Sequence, residues 1–138
     1  MRAILITVLV ILSTMFARAQ DKMAYENRNQ IDYELVVRRI GGRVTDAQGV
    51  PVPGVDIGVF TESEHNLVSQ SATDSDGHFK IEQLPRGEYR FVARYYPLCS
   101  ANAQIKVAAW PKGGVLKARE LRVTMIPGGI DECSSVSN

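Results

Sequence analysis

From Gly41 to Tyr95 the chain alternates apolar and polar residues in short runs, each closed by a turn whose chemistry can be stated. Val55, Ile57 and Val59 fall on one face of such a run. Phe79 and Ile81 do so in the next, and Tyr89, Phe91 and Ala93 in the one after. A period of two is the signature of a half-buried strand, because successive side chains point to opposite faces. The turns fit the same picture. Asp46-Ala47-Gln48-Gly49 matches a type I turn, with an acid at its start and glycine at its end. Asp74-Ser75-Asp76-Gly77 predicts a tight hairpin turn with positive φ at Gly77. Val50-Pro51-Val52-Pro53 is extended but cannot donate at either proline, which places it at a sheet edge or outside the sheet.

Extended along the chain, the pattern predicts seven strands: 38–45, 54–61, 66–73, 78–83, 88–96, 103–109 and 119–126. Their near-regular spacing argues for an all-β fold, a seven-stranded antiparallel sandwich. The expected interior comprises Val55, Ile57, Phe79, Ile81, Tyr89, Phe91 and Val123, with Glu88, Arg90 and Arg94 outside. Residues 31–37 fit either an extension of the first strand or a short helical turn. Residues 20–29 are polar and aperiodic, and residues beyond 127 read as a serine-rich tail.

The first residues read as an export signal. Arg2 supplies the positive start, Ala3 to Phe16 is almost continuously apolar, and Ala17-Arg18-Ala19 offers a cleavage site. The apolar run is short against the roughly 20 residues that a membrane-crossing helix needs. The expected organisation is a signal peptide over 1–19, a polar leader over 20–37, a sandwich over 38–127 and a tail over 128–138. An exported protein, periplasmic or extracellular, follows from this, with no membrane span once the signal is removed.

The whole chain carries 16 Lys and Arg against 15 Asp and Glu. Loss of Arg2 and Arg18 tips the balance one charge to the acidic side, which gives no electrostatic footprint for nucleic acid. Cys99 and Cys133 both lie in the exported part, where an even count makes one disulfide the simple expectation.

No catalytic or metal constellation emerges. Zinc hydrolysis needs three protein ligands, and the chain has two histidines, His65 and His78, without a glutamate at ligand spacing. Asp74-Ser75-Asp76-Gly77 lacks the later bidentate acid of a calcium loop. No serine sits in a nucleophile elbow. The expectation is therefore a non-enzyme with no cofactor and no metal. Tyr95, Tyr96 and Trp110 fall at strand ends or loops that can share one rim. Two readings stand: a platform for a sugar or protein ligand, or caps over the end of the core.

The motifs Gly42-Arg43-Val44-Thr45-Asp46, Gly49, Pro51, Gly54, Val55 and Val59 begin a recognisable series. It continues with Thr73-Asp74, Asp76-Gly77, Phe79, Ile81, Leu84-Pro85, Gly87, Tyr89 and Phe91. Together they resemble the carboxypeptidase regulatory-like domain, a transthyretin-like β sandwich, over about residues 40–108. Such domains often carry a glycine-tyrosine pair after the fifth strand, where this chain has Tyr95-Tyr96-Pro97-Leu98-Cys99. The resemblance implies an accessory or interaction module of bacterial type that engages a protein or an envelope glycan. Starch-binding relatives bring in carbohydrate binding as the alternative. The related purine-breakdown hydrolases end in Tyr-Arg-Gly-Ser, whereas this chain ends Cys133-Ser134-Ser135-Val136-Ser137-Asn138. Isopeptide-forming relatives need a first-strand lysine, where this chain offers Arg38, Arg39 and Arg43.

Overall fold

The computed structural model describes residues 22–25, 34–109, 120–128 and 133–138. Residues 1–19, expected as a signal peptide, and Trp110 lie outside the described residues. The strands are β1 (Leu35–Val37), β2 (Ile40–Asp46), β3 (Asp56–Thr61), β4 (Leu67–Ala72) and β5 (His78–Ile81). They continue as β6 (Gly87–Arg94), β7 (Ala101–Val107), β8 (Leu121–Met125) and β9 (Ser135–Ser137). Five strands form one sheet in the order β1-β7-β6-β3-β4, and four form the other in the order β5-β2-β8-β9.

The two sheets close on one interior. Val44, Val55, Ile57, Val59, Phe91, Ile105, Leu121 and Met125 are fully buried there, with Phe79 and Phe91 in ring contact at 5.5 Å. All seven residues expected inside belong to this cluster. Burying a side chain of this size stabilises by about 1.5–3 kcal/mol. The Tyr89 hydroxyl donates to the Pro85 carbonyl at 2.8 Å, fixing the turn before β6.

The all-β sandwich stands, but its strand count and pairing differ from the expectation. There are nine strands among the described residues, and two pairs are parallel: β1 with β7 and β2 with β8. The segment left open between strand and helical turn forms β1, and the serine-rich tail contributes β9 at the edge beside β8. Neither has the apolar alternation that marks a strand in sequence, since each supplies only three residues to an edge.

The expected hairpin between β4 and β5 is not one. β4 pairs with β3, while β5 pairs with β2 in the opposite sheet. The 74–77 turn is instead an arch that carries the chain from one layer to the other. Its local chemistry is as the sequence reads. Gly77 has φ +75, and a side chain there would run into the Val44 carbonyl oxygen. Asp74 Oδ1 accepts from the Asp76 and His78 amides, both at 2.9 Å. Turn geometry follows from these local bonds; the choice of partner strand does not.

Two features on the outer face of the five-stranded sheet go beyond the sequence pattern. Arg90 is buried, because Glu62 lies over it with Oε1 2.8 Å from Nη2. Part of the leader is packed: Met23 is buried against Phe60 and Val92, in the space left by the missing side chain of Gly58. Arg94 donates to the Ala24 carbonyl at 3.0 Å, and Tyr25 stacks on His65 with ring centroids 3.7 Å apart.

Candidate functional site

The Tyr95–Cys99 loop links β6 to β7 at one end of the sandwich. The Leu98 amide donates to the Tyr95 carbonyl at 2.8 Å and closes the turn, which contains a cis Tyr96-Pro97 peptide. Proline suits such a turn because its tertiary amide tolerates cis geometry that other residues disfavour. Below the turn, Leu98 bridges Pro127, and the Cys99 amide donates to the Ile126 carbonyl at 2.8 Å.

Cys99 and Cys133 are joined by a disulfide with their Cα atoms 5.5 Å apart, an ordinary span for such a bond. Ser134 follows immediately and is fully buried. Its hydroxyl accepts from the Ile126 amide at 2.9 Å and donates to the Cys99 carbonyl. Backbone groups that the sandwich end would otherwise leave unpaired are satisfied by this one side chain. The loop is thus tied to the end of β8 and to the start of β9.

On this base the two tyrosines differ. Tyr95 is partly covered, its ring edge 3.9 Å from where a Gly54 side chain would begin. Tyr96 is 93% exposed, so its ring does not cap the core. A wholly exposed tyrosine on an anchored turn offers an apolar face and a hydroxyl with little ordering left to lose on binding. The structure places Tyr95 and Tyr96 on one loop; Trp110, the third expected member, is outside the described residues.

The polar groups weighed in the sequence have structural partners. Asp74 is engaged by backbone amides of its own turn. His65 has φ +56 and stacks on Tyr25. Among the described residues, no three His, Cys, Asp or Glu side chains are grouped so as to hold a metal ion. Glu82 is held below the usual carboxylate range, first by the hydrogen bond from Lys80 at 2.6 Å and then by its charge. The role of Ser134 escaped the sequence reading, since one serine among several in a polar tail carries no local signal.

Two layers ordered in this way, with a core closed by both, define a β-sandwich module of the transthyretin-like class. The chain belongs to the carboxypeptidase regulatory-like domain family, whose model matches residues 39–117. Among solved structures it is similar to the 5-hydroxyisourate hydrolase of Klebsiella pneumoniae. That likeness is 18% identical, with a TM-score of 0.50, and covers 72% of this chain and 96% of the other. It is also similar to the 3-chlorocatechol 1,2-dioxygenase of Rhodococcus opacus, at 12% identity and a TM-score of 0.38, covering 95% of this chain and 75% of the other. The first likeness is one of fold. No curated protein matches the chain.

Proposed function

We propose that this chain is an exported, non-catalytic module that binds a protein partner through the Tyr95–Tyr96 rim. The exposure of Tyr96 on a turn fastened by a disulfide and by Ser134 carries this reading. Interface hot spots favour tyrosine on rigid supports, because a large contact area is gained at small entropic cost. Export is supported by the apolar start of the chain and by the disulfide. The Pro51–Pro53 segment contributes to edge protection: Pro51 bridges Thr45 beyond the end of β5, where it offers no N–H to an incoming strand.

A photo-crosslinking amino acid at position 96, introduced in the producing cell, tests the reading. A discrete protein adduct at 96, absent with the same probe at exposed Gln48, is the expected result. No adduct above that control would overturn it. A saturable fluorescence response to a glycan panel, lost in Tyr96→Ala, would move the assignment to carbohydrate binding, for which the same exposed ring is suited. Sequencing of the exported protein should begin at Gln20; a retained Met1 would remove the export reading.

A further inference from the structure

Along each strand the outer face of the β5-β2-β8-β9 sheet shows only ordinary polar alternation. Across the strands it shows something else. Pairing places His78 opposite Arg43, Arg43 opposite Arg122, and Arg122 opposite Ser137. The next row is Thr45, Thr124 and Ser135. Every side chain in both rows can donate a hydrogen bond, and none is a carboxylate.

Arg43 and Arg122 stand directly opposite on adjacent strands. Like charges in that relation destabilise a sheet unless something lies between them. Among the described residues neither has a carboxylate partner. Arg43 Nε donates instead to the Asp76 carbonyl at 3.2 Å, which orients the guanidinium and leaves its remaining N–H groups free to face outward. Both arginines, with His78, Thr45 and Thr124, line an open groove of about 820 Å³. Leu121, Asn138 and one acidic side chain, that of Glu120, complete its lining. The neighbouring groove adds Arg39 and Lys80. Lys80 is already committed to Glu82, and the Asp74 carboxylate to its own turn.

We infer that this face binds a small ligand bearing a carboxylate or phosphate group. Strands lie about 4.8 Å apart, so guanidinium groups one strand apart can converge on a single anionic group. Arg43 and Arg122 grip that group. His78 on one flank and the Thr45 and Thr124 hydroxyls along the groove take hydrogen bonds to the rest of the ligand. The site is on a different face from the tyrosine rim and does not depend on it.

Titration of the exported protein, followed by amide NMR at low salt, tests the site with three probes: inorganic phosphate, glucuronate and glucose. Saturable shifts confined to β2, β5 and β8 with phosphate, glucuronate or both are expected, and the stronger probe identifies the acid group. Glucose should give none. Arg43→Gln and Arg122→Gln should each weaken binding about tenfold or more, the scale of a lost charge-assisted contact. Lys80→Gln and Tyr96→Ala should stay within about twofold of the parent. Absence of saturable shifts with both anions in the parent protein would overturn the inference. So would equal binding of glucose, or folded arginine variants that bind as well as the parent. The parent titration decides the existence of the site even if a variant does not fold.

Discussion

Replacing Gly42 with alanine should remove a large part of the stability of the fold. Gly42 lies in β2 between two partners, opposite Phe79 of β5 and opposite Leu121 of β8. A methyl group there would sit 2.7 Å from the Leu121 carbonyl carbon and 2.9 Å from its nitrogen, and closer still to the oxygen. Carbon atoms pack at about 3.5–4.0 Å, so β8 would have to recede by on the order of 1 Å. It cannot do so freely, because Leu121, Val123 and Met125 are all buried in the core. Overpacking of this kind costs about 1–3 kcal/mol. Two strained ladder hydrogen bonds add roughly 1 kcal/mol each, for about 3–5 kcal/mol in all. Against a typical domain stability of about 5–15 kcal/mol, that is a marginal or unfolded protein. Urea denaturation should show a lowered midpoint at unchanged slope. Gly41→Ala is the internal control. Its nearest neighbour would be the Phe79 carbonyl oxygen at 3.3 Å, and its cost should stay under about 1 kcal/mol. A Gly42→Ala protein within about 1 kcal/mol of the parent, or a Gly41→Ala protein equally damaged, would refute the reasoning.

Reduction, or a Cys99→Ser and Cys133→Ser double variant, should lower stability by about 4 kcal/mol, from the loop-closure entropy of a 34-residue separation. Hydrogen exchange should then rise first in β9 and in the Tyr95–Cys99 loop. Arg90→Ala should cost about 2–4 kcal/mol by thermal melt, because it leaves Glu62 without its buried partner; Arg90→Met should recover part of that loss through packing. The Glu82 carboxyl, followed by NMR, should titrate below an ordinary glutamate and return to the usual range in Lys80→Ala. A depressed folded-state value means that its contribution is present above the unfolded-state pKa and is lost as pH falls through the folded one. Since Glu82 is fully exposed, global stability should show no measurable step there.

The faces of the central strands were legible in sequence because burial on one side imposes alternation. Val55, Ile57 and Val59 in β3, and Tyr89, Phe91 and Ala93 in β6, all point into the core as read. Partner choice was not legible. Asp74-Ser75-Asp76-Gly77 forms the same Asp-capped turn whether it joins two strands of one sheet or arches between two sheets. Arg90 keeps the outward register predicted for it, yet is buried, since cover by Glu62 arrives from residues 28 positions away. Met23 likewise gives no periodic signal; it fills a space defined by Gly58, Phe60 and Val92. At the rim, Tyr95 and Tyr96 could be nominated from their place after β6. The support beneath them could not, because Ser134 works through backbone groups of Cys99 and Ile126 that only the folded chain brings near.

Cys133 lies just before β9, which runs alongside β8, and Cys99 lies just before β7 of the other sheet, so the disulfide ties the two layers together. Were the thiols reduced, the short terminal ribbon would hold its place by a few bonds alone, and its departure would bare the peptide groups of Leu121–Met125 to any passing extended chain. Oxidation therefore does more than stiffen the module: it keeps the outer edge of β8 covered.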